Sequence, residues 1–313
     1  MLDSQYDYSR NSSGFTKTIT LDVPSQFEIW SNHAVIIDFI STLLNLKKKR
    51  DINVVNLNLT RISSIDSSAI CLLLSAVKEL GYANIKVTGN YPQNEDCARY
   101  FIESGFLAHM KDEAGKPFQI NSSNLIAEAG TNRTRNKQIA QAVRMGIKFI
   151  LGEETRYPPA YTVAMEICSN SVEHAYRQRP KHWRLAISKV DEKVAFTMVD
   201  TGSGILKTLH RKFSKEIRDI ISLRNHTDVL YRAFQRKYGS STQLINRNKG
   251  LPCILDKFNC GLIKSLKVIT NDVYLDFNSI NEQKSLNKPF NGVLFYWEVD
   301  KECIDKFVKN IKI

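Results

Sequence analysis

Hydrophobic and polar residues alternate with two different periods along the first part of the chain. Segments with apolar residues at every second position predict strands, and segments with apolar residues three or four positions apart predict amphipathic helices. Strands that alternate with helices predict an α/β domain over residues 16–112, preceded by a flexible N-terminus at residues 1–15. The predicted strands are FTKTITLDV, INVVNLNLT and NIKVTGN, and the predicted helices are HAVIIDFISTLLNL, SSAICLLLSAVKELG and DCARYFIESGFL.

The pattern is interrupted in residues 113–136, which are polar and which we interpret as a linker, with PFQI as one further candidate strand. Residues 137–313 then combine helices with at least four β runs, two of which are joined as a hairpin around Asp191. This order predicts a second domain built as an α/β sandwich. The predicted helices are KQIAQAVRMGIKFIL, AMEICSNSVEHAY and GLPCILDKFNC, and the β runs are RLAISKV, KVAFTMV, LKVITN, VYLDF and GVLFYWEV.

The net charge of +12 is unevenly distributed between these two parts. Residues 1–120 contain 12 Lys and Arg against 13 Asp and Glu, whereas residues 121–313 contain 32 against 19. A basic domain can bind nucleic acid, an acidic protein partner or a polyphosphate ligand, and charge alone does not choose among them.

The cysteines and the apolar segments indicate the compartment. Six cysteines and six histidines show neither a C-x-x-C pair nor a metal-ligand grouping, so neither a disulfide framework nor a zinc site is predicted. The start MLDSQYDYSRNSSGF lacks the basic and apolar regions of a secretory signal, and AVIIDFISTLLNL is too short and too polar to span a bilayer. We therefore expect a cytoplasmic protein without a membrane partner.

The segment AMEICSNSVEHAY, residues 164–176, places three polar side chains on one face of its helix. Glu166, Asn170 and His174 follow one another at four-residue intervals, and each such step turns by only about 40° around an α-helix. Apolar residues with helical period bury the neighbouring face. The same spacing is expected for solvent-exposed positions on an amphipathic helix. This helix alone therefore does not distinguish a binding site from an exposed polar face.

The segment KVAFTMVDTGSGI, residues 193–205, places an acid and two glycines at the end of a β run. Asp200 can accept a hydrogen bond from an exocyclic amine, and Gly202 and Gly204 permit close approaches that a Cβ would block. Taken alone, the segment is equally consistent with a strand that ends in a glycine turn.

Taken in order, these motifs resemble the GHKL ATPase superfamily of gyrase, heat-shock chaperones, histidine kinases and MutL. The resemblance covers residues 137–313: a helix with E-x-x-x-N-x-x-x-H, a β-hairpin, D-x-G-x-G, a variable polar region, a Gly-Leu helix start and a terminal hairpin. It implies the Bergerat-type α/β sandwich of that superfamily, with ATP and Mg²⁺ as its ligands.

The resemblance assigns roles to the polar face of the first motif helix. Asn170 is similar to the magnesium ligand of the superfamily, an oxygen donor suited to a hard cation. Glu166 is similar to the general base or water-positioning carboxylate, which would orient water or a hydroxyl toward the γ-phosphate. His174 matches a position that is sometimes His or aromatic, where packing and a contact with the phosphates are both open.

The glycine motif would form the base pocket. By the same resemblance, Asp200 contacts adenine, while Gly202, Gly204 and the following Ile205 shape the floor beneath the base. In this superfamily a carboxylate at the end of a strand accepts from the amine of the purine.

Residues 205–249 would be the nucleotide lid, and RNKGLPCI resembles the second glycine box. There, Gly250 and Leu251 would start a helix whose backbone amides cradle phosphates. Asn248 stands where the superfamily has the first glycine of this box, and Asn tolerates the left-handed region better than most residues. The basic residues of the lid suit a triphosphate or simply form a solvated surface. They are Lys207, His210, Arg211, Lys212, Arg232, Arg236 and Lys237.

Residues 16–112 show a second resemblance, to the STAS domain of anti-sigma factor antagonists. A buried β run, an Asp-Ser-Ser turn and an immediate helix carry it, although Ala69 follows the serines where the family often has Gly. In that family such a serine accepts phosphate, which makes Ser67 and Ser68 candidate phosphoacceptors. Capping of the helix by Asp66 or Ser67 explains the same residues without any modification.

Together the two resemblances imply an ATP- and magnesium-binding regulatory switch protein with a protein partner, and dimerisation is expected from the family. In bacterial partner-switching systems the GHKL member is a serine kinase and the STAS protein is its substrate, so kinase activity and ATP hydrolysis that drives a conformational change are both open. The alternative is a nucleotide-sensing binding module that contacts nucleic acid or a protein through its basic second half. A histidine kinase is disfavoured, because no long helical hairpin with a phosphoacceptor His precedes the ATPase-like part.

Overall fold

The computed structural model describes residues 4–11, 14–49, 51–104, 106, 126–131, 133–174, 182–212, 225–235, 250–279 and 284–311. The chain is a mixed α/β protein that divides into two compact units, Met1–Leu125 and Ile126–Ile313. Within the described ranges, no helix is both long and apolar enough to cross a membrane.

The described residues of the first unit form two sheets and three α-helices. The strands are β1 (Ser4–Asn11), β2 (Gly14–Asp22), β3 (Gln26–Phe27), β4 (Ile52–Asn58), β5 (Ser64–Ile65) and β6 (Lys86–Gly89), and the helices are α1 (His33–Asn45), α2 (Ser67–Tyr82) and α3 (Glu95–Glu103), with a 3-10 turn at Leu46–Lys48. One sheet has the order β1-β2-β4-β6, and β3 pairs with β5. Strands β2, β4 and β6 run parallel, with α1 and α2 in the two crossover connections, whereas β1 is antiparallel to β2.

Helix α2 lies in the core of the first unit. Twelve of its sixteen residues are buried, as its run of apolar and small residues requires. Helix α1 buries one face through Ile36, Phe39 and Ile40, and strand β4 buries Val55 and Leu57 at alternate positions. The helix and strand predictions for this part of the chain are confirmed at these elements.

Strand β1 lies where the sequence predicts a flexible N-terminus. It pairs with β2 along its whole length, from Ser4 opposite Leu21 to Asn11 opposite Gly14. The prediction for residues 1–15 is therefore wrong over this stretch. Backbone hydrogen bonds make the strand, and its mostly polar sequence lacks the apolar alternation by which strands are predicted.

The described residues of the second unit form a five-stranded antiparallel sheet and six α-helices. The strands are β7 (Ile126–Thr131), β8 (His182–Val190), β9 (Lys193–Asp200), β10 (Lys264–Asp276) and β11 (Lys284–Val299), in the order β10-β11-β9-β8-β7. The helices are α4 (Asn136–Leu151), α5 (Pro158–His174), α6 (Ile205–Lys212), α7 (His226–Phe234), α8 (Gly250–Asn259) and α9 (Lys301–Ile311).

The core of the second unit lies between one face of this sheet and its helices. Trp183, Leu185 and Ile187 alternate along β8 and are buried in one cluster with apolar residues of α4 and α5. Further along the sheet, the rings of Phe196 and Trp297 stack at 5.2 Å. Because this core fixes α5 against the sheet, it also fixes the polar side chains that α5 carries.

Strand β7 occupies part of the segment that the sequence predicts as a linker. It pairs with β8, and a Cβ on Gly130 would lie 2.5 Å from the indole ring of Trp183. The linker prediction is wrong for Ile126–Thr131, because the partner strand lies far along the chain and no local pattern reveals the pairing. Residues 113–125 of the linker, including PFQI, lie outside the described residues.

Two further elements differ from the sequence prediction. The runs LKVITN and VYLDF form the single strand β10, which is irregular at Asn271, where φ is +54°. Helix α9 follows β11 without any counterpart in the prediction, although Cys303, Ile304 and Phe307 recur with the helical period that could have indicated it.

Candidate functional site

Helix α8 begins directly beside the polar face of α5. A Cβ on Gly250, the first residue of α8, would lie 2.9 Å from Glu166 Oε2 and 3.1 Å from Asn170 Nδ2. A side chain at this position would push both polar groups aside, so glycine permits this close approach. The structure thus brings Glu166 and Asn170 together with Gly250 of the predicted second glycine box, although they are far apart in the sequence.

Asp200 ends β9 and is buried. Its Oδ1 accepts a 2.8 Å hydrogen bond from Gly202 N–H, and its Oδ2 accepts a 2.8 Å hydrogen bond from Ser171 Oγ. Since Ser171 follows Asn170 on α5, this contact ties the carboxylate to the same helix that carries Glu166 and Asn170. Burial raises the pKa of the Asp200 carboxyl above its ordinary value.

The Ser171 hydroxyl accommodates either protonation state of Asp200. It lies 2.9 Å from Ile167 O as well as 2.8 Å from Asp200 Oδ2, and one hydroxyl hydrogen can serve only one of these acceptors. With Asp200 ionised, Ser171 donates to it; with Asp200 protonated, Asp200 donates to Ser171, which then donates to Ile167 O. In both states the carboxyl retains lone pairs that can accept from a ligand amine.

The turn after Asp200 is held by strand β10. Gly204 has φ +83°, and a Cβ there would overlap the carboxamide of Asn271. Ile205 N–H donates to Thr270 Oγ1 at 2.9 Å, and Leu206 N–H donates to Asn271 Oδ1 at 3.0 Å. The backbone N–H of Ile205 is therefore already hydrogen-bonded, and any contact of Ile205 with a base must use another part of the residue.

Thr270 and Asn271 were not predicted from the sequence. Both are buried polar residues that follow the buried Val268 and Ile269 in the predicted β run LKVITN. The sequence signal that could have indicated them is the adjacent polar pair Thr-Asn in the predicted β run LKVITN. Polar side chains in a buried strand need hydrogen-bond partners, so such a pair indicates a specific contact.

The other predicted site residues are placed as follows. Leu251, the second residue of α8, packs against the core. His174 ends α5, and its side chain lies outside the described residues, as does Asn248. In the predicted lid, Lys207 donates to Asn291 Oδ1 at 3.0 Å, and Arg232 binds both carboxylate oxygens of Asp228. His210 is exposed, and the remaining basic side chains lie outside the description: Arg211, Lys212, Arg236 and Lys237.

In the first unit, Asp66 is the N-cap of α2. Its Oδ1 accepts from Ala69 N–H at 2.6 Å, and its Oδ2 accepts from Ile29 N–H at 2.8 Å. Ser67 and Ser68 are only 5% and 1% exposed, and Ser68 Oγ accepts from Trp30 Nε1 at 2.9 Å. The capping interpretation is confirmed for Asp66, and neither candidate phosphoacceptor hydroxyl is accessible to a kinase in this conformation.

Burial of Asp66 predicts a pH-dependent stability of the first unit. Burial raises its pKa from 3.8 to about 6, against the lowering effect of its bonds from Ala69 and Ile29. Because the folded-state pKa is raised, its contribution to stability is fully present below about pH 4 and is lost as pH rises through about 6. The free energy of unfolding should fall by about 3 kcal/mol over the whole transition, from well below pH 4 to well above pH 6, at about 1.4 kcal/mol per pKa unit.

Urea unfolding followed by Trp30 fluorescence at pH 4, 5, 6 and 7 would test this. Asp66→Asn keeps an oxygen for Ala69 N–H and removes the titration, so its stability should lack this fall, even though an orphaned Ile29 N–H lowers it throughout. Asp96→Asn, at an exposed side chain, is the control and should follow the wild type. Equal pH slopes for Asp66→Asn and wild type would contradict the prediction.

A scan against models of known protein families finds no match to this chain, and a search of curated proteins finds none. The function must therefore be inferred from the residues of the site. Among the described residues, no group of three or more His, Cys, Asp or Glu could hold a metal ion. A single carboxamide beside a carboxylate suits Mg²⁺, which keeps several waters and is commonly held partly by substrate phosphates.

Proposed function

We propose that the second unit binds ATP and Mg²⁺ as GHKL ATPases do, on a Bergerat-type sandwich, and that the first unit is STAS-like. The protein would then act as a regulatory switch whose nucleotide state controls a protein partner. The observation that carries this proposal is the convergence of three sequence motifs. Gly250 lies against Glu166 and Asn170, and Asp200 is bonded to the next residue of the same helix, Ser171.

Each group of the site has a chemical task under this proposal. Asp200 accepts from the amine of adenine, and the N-terminal amides of α8 face the phosphates, where the helix dipole favours negative charge. Asn170 holds Mg²⁺, which when bound neutralises charge on the phosphates. Glu166 takes a proton from the attacking oxygen or orients it, since its carboxylate lies at the start of α8.

The acceptor of the γ-phosphate is water or a hydroxyl of a partner. Burial of Ser67 and Ser68 supports this choice over transfer to the protein's own serines, because an acceptor hydroxyl must reach the reaction centre. A phosphate adduct on either serine would require α2 to release its N-terminus. ATP hydrolysis and serine kinase activity toward another STAS-like protein therefore remain the two forms of the proposed activity.

Glu166→Gln is expected to retain ATP binding and to lose product formation by roughly 100-fold or more, the usual contribution of a general base. The amide has the size of the carboxylate, so the contact with Gly250 survives. ATP affinity is measured by calorimetry, and ADP release and the intact-protein mass after incubation with magnesium and ATP are measured together. Glu153→Gln, at an exposed glutamate before α5, is the matched control.

The outcomes separate the activities. ADP without a protein adduct indicates hydrolysis, and an adduct lost in Ser67→Ala/Ser68→Ala indicates self-modification. Unchanged turnover in Glu166→Gln would remove Glu166 from the chemistry, and a wild-type protein without ATP affinity would refute the proposed function.

The basic charge of the second half gives a second candidate, a binding module for nucleic acid. The excess of 32 Lys and Arg over 19 Asp and Glu in residues 121–313 favours it. Binding to a phosphate backbone weakens steeply as salt rises, whereas an adenine contact in a buried pocket does not. Titrations of ATP and of a random duplex at two salt concentrations would distinguish the candidates.

A further inference from the structure

We propose that Asn271 is a positioning residue of the proposed nucleotide site: its carboxamide clamps the glycine turn after Asp200 and thereby sets the base pocket. This inference rests on the proposed function, because it assigns a task within the same site. It also predicts which part of the nucleotide depends on the clamp.

One carboxamide joins the two ends of the turn. Asn271 Nδ2 donates to Ser203 O at 2.9 Å, and Asn271 Oδ1 accepts from Leu206 N–H at 3.0 Å. Gly204, between these two residues, lies so close that a Cβ would overlap the carboxamide. The side chain is 4% exposed, so these hydrogen bonds are shielded from water.

The strand departs from regular geometry at this residue. Asn271 has φ +54°, and the pairing of β10 with β11 shifts register on both sides of it. A non-glycine residue in this region costs free energy, which the two hydrogen bonds to the turn offset. The neighbouring Thr270 extends the clamp, because its hydroxyl accepts from Ile205 N–H and lies 2.9 Å from Gly292 O.

The clamp also replaces the usual cap of a helix. Ile205 and Leu206 are the first residues of α6, whose initial N–H groups have no partner within the helix. Such groups are commonly capped by a side chain just before the helix. Here the caps come from Thr270 and Asn271, 65 residues along the chain, so the position of the turn depends on β10.

The turn that Asn271 holds in position orients Asp200. Gly202 N–H, inside the turn, donates to Asp200 Oδ1, so a displaced turn would move a hydrogen bond that aims the carboxylate. The opposite end of the site is built by Glu166 and Asn170 of α5 and by Gly250 of α8, whereas Asn271 of β10 holds the turn that leads into α6. Loss of the clamp should therefore weaken contacts with the base and spare contacts with the phosphates.

Asn271→Gly tests this role with little change to the backbone, since glycine adopts φ +54° freely. Calorimetry would measure binding of magnesium ATP and of magnesium tripolyphosphate, which lacks the base. We expect ATP affinity to fall about 10-fold or more, as for the loss of buried hydrogen bonds, and tripolyphosphate affinity to stay within about 2-fold. Asn84→Gly is the matched control, an exposed asparagine of the first unit at φ +58°.

Each outcome bears on the inference. Unchanged ATP affinity in Asn271→Gly, or equal losses for ATP and tripolyphosphate, would overturn it, because a merely structural role weakens both ligands. If Asn271→Gly does not fold, Asn271→Asp is judged by the same two affinities; it keeps the acceptor for Leu206 N–H and places an oxygen against Ser203 O. A wild type that binds tripolyphosphate but shows no preference for ATP would refute the proposed function together with this inference.

Discussion

Asp200→Asn is expected to lower ATP affinity roughly 100-fold while the second unit stays folded. The substitution removes a carboxylate acceptor from a buried position, and hydrogen bonds to charged groups contribute about 1.5–3 kcal/mol. An amide N–H in place of an oxygen would also face the donor amine of adenine. The loss should therefore fall on affinity, measured by calorimetry with magnesium ATP.

The surroundings of Asp200 explain why the fold should survive this change. An asparagine oxygen can accept from Gly202 N–H, and its Nδ2 can donate to Ser171 Oγ, whose hydrogen then turns to Ile167 O. Burial raises the pKa of Asp200, so its contribution to stability is present at low pH and is lost as pH rises through the folded-state pKa. At neutral pH the asparagine side chain is uncharged and avoids the free-energy cost of burying an ionised carboxylate. The midpoint of thermal unfolding should therefore equal or exceed that of the wild type.

Ser171→Ala supplies the control for this experiment. It removes the donor to Asp200 Oδ2 and leaves the carboxylate, so ATP affinity should fall less than in Asp200→Asn. A folded Asp200→Asn protein that binds ATP as tightly as the wild type would refute the assignment of the base pocket.

The parts of the site that lie within one element could be predicted from the sequence. Helix periodicity places Glu166 and Asn170 on one face of α5, and the hairpin around Asp191 brings β9 and its terminal Asp200 into the sheet. Local patterns are sufficient here because each depends on residues close together in the chain. Ser171 lies within the same helix motif, yet its bond to Asp200 became visible only from the packing of α5 against β9.

The parts that depend on distant segments could not be predicted. Asn271 looks like one more strand residue until its carboxamide is placed against Ser203 and Leu206. Strands β1 and β7 are polar or small in sequence, and only their backbone pairing defines them. Tertiary hydrogen bonds leave no periodic signal, so local composition misplaces such segments.

Gly292→Ala is expected to destabilise the second unit by about 4 kcal/mol or more, an unusually large effect for the addition of one methyl group. Gly292 lies in β11 at φ +144°, and its Cβ would overlap the carbonyl oxygen of Asp200 and lie 3.0 Å from the Phe290 ring. That carbonyl belongs to the backbone of β9, in the middle of the sheet between β11 and β8, so it cannot move without breaking strand pairing. The hydroxyl of Thr270 lies 2.9 Å from Gly292 O and also holds the backbone of β11 at Gly292.

Urea unfolding followed by fluorescence of Trp183 and Trp297, both buried in the second unit, would measure this loss. Gly152→Ala is the matched control: its φ is +78° but its Cβ would meet open space, so only backbone strain of about 1–2 kcal/mol applies. The difference between the two variants contains the overlap with Asp200 together with the larger backbone strain of alanine at φ +144°. If both variants lose the same free energy of unfolding, the backbone of β11 must shift at Gly292 to make room for the methyl group. The assumption that Asp200 is held rigidly, on which the base pocket depends, would then be wrong.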